Sequence, residues 1–196
     1  GFLGFPEWFP GRAHLISVQY SAYKVIADNS FPIRYFNKNT GLLPEVVKNK
    51  NTTVYTWTME NQPALVEQPW CQSIMDYLPG IVLSPQEFSL DGYKGNYGNW
   101  YSFGQWIKEI NKERDQLRNE TIVLLNDLVK NCTSDYEKAR ILYEYMQKKT
   151  RYVSIQIGIG GWQPFKAEDV DRLGYGDCKA LANYYKALLN AVGIKS

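Results

Sequence analysis

Residues Gly174–Ile194 read GYGDCKALANYYKALLNAVGI, and the rest of the chain is best understood outward from this stretch. From Cys178 onward, Leu181, Tyr184, Tyr185, Leu188, Leu189 and Val192 recur at the three-and-four spacing of one helix face. Gly193 stops that helix, because glycine adopts the left-handed conformation of helix ends at little steric cost. At the other end Asp177 suits an N-cap, its carboxylate able to accept from unpaired first-turn amides. Cys178 then falls in the first turn, where free N–H groups and the positive end of the helix dipole favour a thiolate. Gly176 keeps the approach to the sulfur clear of a side chain. A carbonyl attacked by Cys178 would find the Cys178 backbone N–H aimed at its developing oxyanion. The competing reading is a small buried hydrophobe, the commonest fate of a free cysteine, and composition alone favours it.

The upstream loop excludes one class of ligand. Gly158-Ile159-Gly160-Gly161 suggests a phosphate cradle, but a dinucleotide fingerprint needs glycine where Gln163 stands, and no Lys-Ser/Thr pair follows for a P-loop. Ahead of it, a short strand is expected over Tyr152–Ile157. Ser134-Asp135-Tyr136-Glu137 is a capping box opening a helix that buries Ala139, Leu142, Tyr143 and Met146. Another helix is expected from about Glu120 to Asn131, with Ile122, Leu125, Leu128 and Val129 on one face. A second capping box, Ser102-Phe103-Gly104-Gln105, opens a linking helix over 102–118 that carries Trp106, Ile110, Arg114 and Leu117. The Cys178 helix is expected to fold back on the helices at 120–131 and 134–149. Apolar surface they cannot cover would then favour self-association.

The first hundred residues carry strand chemistry instead. His14–Ile26 (HLISVQYSAYKVI) and Thr52–Met59 (TTVYTWTM) alternate and are rich in β-branched and aromatic types. Asp28-Asn29-Ser30, Asn37–Gly41 and Lys48–Asn51 supply turns. After Met59 prolines recur at Pro63, Pro69, Pro79 and Pro85, so an irregular segment is expected there. Ser89–Tyr101 (SLDGYKGNYGNWY) reads as a flexible loop whose glycines allow tight turns, and it lacks the acids of a calcium loop.

Composition bounds the function. The 196 residues carry 22 Lys/Arg against 20 Asp/Glu, a net charge of +2 too small to imply a nucleic-acid partner. No apolar run is long enough for a transmembrane helix. The three cysteines, Cys71, Cys132 and Cys178, form neither a disulfide framework nor a zinc spacing, and no metal or cofactor is expected. Cys71 and Cys132 read as structural. Asn51-Thr52-Thr53, Asn119-Glu120-Thr121 and Asn131-Cys132-Thr133 fit the glycosylation pattern; if the source is bacterial, these are chance matches. The single histidine is His14.

The strand, the Gly-Gly-Trp-Gln-Pro loop (Gly160–Pro164), a short helix, and Gly-Asp-Cys-Lys-Ala-Leu-Ala heading a helix together resemble a bacterial transglutaminase-like core of papain-like arrangement. The resemblance covers about residues 119–196. The segment from Tyr55-Thr56-Trp57 to Asn61-Gln62-Pro63-Ala64 is similar to the β-rich domain that precedes such cores in Bacteroidetes proteins. The resemblance implies that Cys178 is the nucleophile, with Trp162 or Gln163 near the oxyanion and Asp177 as helix cap. It also implies a His and an Asp tens of residues beyond the Cys helix, so both are expected to be missing from this chain. His14 falls at the wrong place in the order to replace them.

The expected fold is α+β: a β-sandwich-like domain at 1–101 truncated at its N-terminus, the linking helix at 102–118, and the helical first half of a papain-like core at 119–196. The expected function is a fragment of a thiol acyl-transfer enzyme acting on peptide or protein as peptidase, amidase or cross-linking enzyme. The alternative is a non-catalytic peptide- or glycan-binding module. A periplasmic or cell-surface location is implied by the resemblance alone.

Overall fold

The computed structural model describes residues 4–13, 15–66 and 69–196. It is a mixed α/β structure divided into two compact units, Gly1–Phe103 and Gly104–Ser196, each with its own apolar core. The first unit runs β1 (Val18–Asp28), β2 (Ile33–Lys38), β3 (Glu45–Lys48), β4 (Thr52–Gln62), a single-turn helix α1 (Ile74–Tyr77), β5 (Gly80–Pro85), β6 (Glu87–Leu90) and β7 (Tyr93–Asn96). Strand β4 pairs antiparallel with β1 on one edge and β3 on the other, in a register that sets Tyr23 opposite Trp57 and Val25 opposite Tyr55. Alternation along β4 turns Thr53, Tyr55, Trp57 and Met59 to one face, which meets Ile81 and Leu83 of the antiparallel β2–β5 pair. Trp8 and Val25 complete this core.

Two expectations for this unit fail. The proline-punctuated stretch is not irregular: β5 lies within it and supplies two buried core residues. Its prolines sit where strands tolerate them, Pro79 just before the first residue of β5 and Pro85 at the last. Nor is Ser89–Tyr101 a flexible loop. Asp91 and Gly92, at φ +48° and +86°, make the two-residue turn of the β6–β7 hairpin, a conformation in which both residues need positive φ.

The second unit comprises α2 (Trp100–Ile110, whose first turn belongs to the preceding unit), α3 (Asn119–Val129), α4 (Asp135–Lys149), β8 (Arg151–Tyr152), a 3₁₀ turn at Gly158–Gly161, α5 (Ala167–Leu173), β9 (Tyr175–Gly176) and α6 (Cys178–Ala191). The helix expected over 102–118 is α2, displaced and shorter. Asn99 Oδ1 accepts from the Ser102 N–H at 2.8 Å, so the helix begins earlier than the Ser102 pattern indicates. It ends at Ile110, and Glu113 at φ +57° turns the chain away. The capping box at α4 forms as expected, with Ser134 Oγ accepting from the Glu137 N–H at 3.2 Å. Glu137 in turn accepts from the Thr133 N–H at 2.8 Å, which holds its carboxyl below the ordinary value.

Leu125, Val129, Leu142, Met146, Val170, Ala180, Tyr184, Ala187, Leu188 and Leu189 form one core in which α6 packs on α3, α4 and α5. The apolar stripe of α6 is thus covered by the helices before it. Tyr143 is not in that core, being 46% exposed with its ring edge-on to Tyr185. The strand expected over Tyr152–Ile157 shrinks to Arg151–Tyr152, paired in parallel with β9. Ile157 lies in a loop and is exposed.

Candidate active site around Cys178

Cys178 is the first residue of α6 and is exposed, so the buried-hydrophobe reading fails. Asp177 is the N-cap in extended conformation, and its Oδ1 accepts from the Ala180 N–H at 3.0 Å. Its carboxylate is buried, 4% exposed, and is met by a second partner. Lys179 is that partner, donating Nζ–H to Asp177 Oδ2. The local sequence therefore cancels the Lys179 charge against the cap and leaves the thiol beside the open amides of the first turn.

Strands β8 and β9 lead the chain into that turn. The Arg151 N–H donates to Gly174 O and the Val153 N–H to Gly176 O, each at 3.0 Å. Gly174 ends α5 at φ +70°, the left-handed cap that glycine supplies. Gly176 has a different role from the one its position suggests. It is buried, and a Cβ there would meet the Ala180 Cβ at 3.0 Å, so its smallness serves the packing of the turn onto α6.

Trp162 and Gln163 follow the 3₁₀ turn at Gly158–Gly161. Gln163, Ile155, Gly160, Phe165 and Asp177 line a narrow crevice. The Gln163 amide donates to Ile110 O at 2.7 Å, so this side chain fastens the loop to the end of α2. Trp162 is 38% exposed and meets Trp106 edge-on, with ring centroids 5.7 Å apart. Arg114, read from sequence as one position of an apolar helix face, proves to be a second fastener. Its guanidinium donates to Pro164 O at 3.1 Å, and its carbonyl accepts from the Asn183 amide of α6 at 2.7 Å.

A second polar centre lies below the turn, and no local pattern in the sequence marks it. The Asp171 side chain on α5 is 10% exposed. Its Oδ1 accepts from Tyr184 OH at 2.6 Å and pairs with Lys149 Nζ at 2.6 Å, and its Oδ2 accepts from Thr121 Oγ1 at 2.8 Å. Lys149 Nζ also donates to Tyr145 OH at 3.0 Å. Thr121, the last residue of a glycosylation-like triplet, is buried in this network. Burial pushes the Asp171 carboxyl up, but the donors Lys149, Tyr184 and Thr121 outweigh it and hold the group below its ordinary value. Burial and the neighbouring carboxylate push Tyr184 strongly upward, keeping it a protonated donor.

A carboxyl lowered by folding contributes its stability in full above the unfolded value of about 3.9, and loses it as pH falls through the lower folded value. The second unit should therefore keep a constant urea midpoint down to about pH 5 and lose it progressively below about pH 4. Asp171→Asn should flatten that acid limb. Equal acid slopes for the two proteins would show that other carboxyls carry it.

Of the remaining candidates, Cys132 is half-buried against the core of the second unit, as expected of a structural residue. Cys71 is exposed, contrary to that expectation. His14 lies outside the described residues. Among the described residues no group of His, Cys, Asp and Glu is placed to hold a metal ion, and no helix is long and apolar enough to cross a membrane.

The comparisons with known proteins concern the segment that carries the Gly-Asp-Cys turn and the fold. Residues 123–196 match the family model of the transglutaminase-like superfamily. A crystal structure from Parabacteroides distasonis, of a protein described as a "putative protease", shares the fold with a TM-score of 0.61 at 15% identity. The alignment covers 95% of this chain and 34% of that one, so the chain spans about a third of that protein's length. No curated protein matches the chain.

Proposed function

We propose that Cys178 is the nucleophile of a thiol acyl-transfer centre acting on amide carbonyls of peptide or protein substrates. The observation that carries this reading is the exposed thiol at the first position of α6, capped by Asp177, within the segment that matches the transglutaminase-like superfamily. In the reaction the thiolate sulfur bonds to the carbonyl carbon, and the C–N bond breaks as the amine departs with a proton. Water or a second amine then resolves the thioester, giving hydrolysis or cross-linking. The Cys178 backbone N–H faces the developing oxyanion. Gln163 contributes by holding the loop, since its amide is engaged with Ile110. An efficient thiol nucleophile needs a base, and because residues 104–196 contain no histidine, a histidine base in this reading is one supplied from outside those residues. The second reading is a peptide- or glycan-binding module built on the core without turnover.

Alkylation by iodoacetamide at pH 7, followed at each cysteine by mass spectrometry, tests the first reading. Cys178 should react about 10-fold faster than half-buried Cys132 and several-fold faster than Cys71, which is exposed but has no helix terminus. Equal rates at Cys71 and Cys178 would reject it. In the whole protein, Cys178→Ser should lower amide hydrolysis or amine incorporation by about 10³-fold or more. Peptide binding that survives this change, with no turnover in the unsubstituted protein, would establish the binding module.

A further inference from the structure

We infer that Asp171 is a positioning residue for Cys178: through Tyr184 and Lys149 it fixes the tilt and rotation of the α6 N-terminus, and so the place of the thiol. The inference rests on the nucleophile reading above and adds a group outside the Gly-Asp-Cys turn.

The geometry runs as two ties to one carboxylate oxygen. Tyr184 of α6 donates to Asp171 Oδ1 at 2.6 Å, and Lys149 Nζ lies 2.6 Å from the same oxygen. Lys149 is the last residue of α4, just before β8, while Asp171 stands near the end of α5, just before β9. The ion pair therefore closes the base of the parallel β8–β9 pair, which delivers the chain into Asp177 and Cys178. The tyrosine ties the outgoing helix to the same point. Both the entry to the thiol turn and its exit are thus referenced to Asp171.

The lever is short enough to matter. Tyr184 follows Cys178 by six residues, about 9 Å along the axis at about 1.5 Å per residue. Swinging α6 by about 6° around the tyrosine would move the thiol about 1 Å, a displacement that costs about 10²-fold in reactions needing near-attack geometry. Thr121 bonds the other carboxylate oxygen from α3, off this path. It stabilises the network without joining α6 to β8 and β9.

That asymmetry supplies the experiment. Cys178 is labelled with a trifluoromethyl thiol reagent, in chains with Cys71 and Cys132 changed to serine, and its ¹⁹F NMR line is recorded for four proteins. These are the unsubstituted network, Asp171→Asn, Tyr184→Phe and Thr121→Val, each held at a temperature where circular dichroism and a cooperative melt show it folded. The expected result is a single line for the unsubstituted network and for Thr121→Val. Asp171→Asn and Tyr184→Phe should at least double the linewidth or split the line. If Asp171→Asn does not fold, Tyr184→Phe against Thr121→Val decides alone. Unchanged spectra, equal broadening in Tyr184→Phe and Thr121→Val, or broadening in Thr121→Val only would overturn the inference. Failure of the nucleophile reading shows separately, as slow iodoacetamide labelling of Cys178 in the unsubstituted chain.

Discussion

Leu188→Ala will destabilise the second unit by about 2–5 kcal/mol, the range for a buried leucine truncated to alanine. Leu188 has no exposed surface and sits in the core where α6 meets α3, α4 and α5. The loss combines the transfer free energy of the missing methyl and methylene groups with the cavity left among neighbours that only partly close. For a unit of this size each kcal/mol lowers the melting temperature by about 4–8 °C, so a shift of about 10 °C or more is expected. Because the units have separate cores, the transition of the first unit should stay where it is. A change below about 1 kcal/mol would mean that α6 is held by something other than this stripe.

The second large effect belongs to Trp57, fully buried at the centre of the first unit. Its ring is contacted by Tyr55, Tyr23 and Tyr35 at centroid distances of 6.1, 6.0 and 5.4 Å, and truncation to alanine should cost about 3–5 kcal/mol. Trp57→Phe should be far milder. The indole N–H is buried without a hydrogen-bond partner among the described residues, and an unsatisfied buried donor costs about 1–3 kcal/mol. Phenylalanine removes that penalty along with part of the ring, so the two effects offset and the net loss should stay under about 2 kcal/mol. Urea unfolding of both variants, followed by circular dichroism, measures the difference. Equal losses for phenylalanine and alanine would show that the N–H has a partner and that indole shape is what the core requires.

Much of the second unit is legible in the sequence because its elements are local. The apolar period from Leu181 to Leu189, the Asp177 cap and the Ser134–Glu137 box depend on residues three or four apart, and all take the form they predict. The same locality puts Cys178 at the first turn of α6. Where local signals compete, the nearer reading misleads. Ser102 invites a cap, yet Asn99 provides it, and Arg114 continues an apolar spacing although Glu113 has already turned the chain. In the first unit β1 and β4 are long enough to show their alternation. Strands β2, β5, β6 and β7 span only four to six residues each and lie among prolines and glycines, so their identity comes from the partner strand rather than from themselves.

The sequence by itself determined the thiol, its cap and the helix that bears them, since hydrogen bonding within one turn and one apolar stripe suffices to specify them. Only the tertiary structure decided what holds that helix in place. Thr121, Lys149, Asp171 and Tyr184 come from four helices, and nothing in their spacing marks them as partners. A buried carboxylate must find donors wherever packing brings them, and that requirement acts across the fold and leaves no period in the chain.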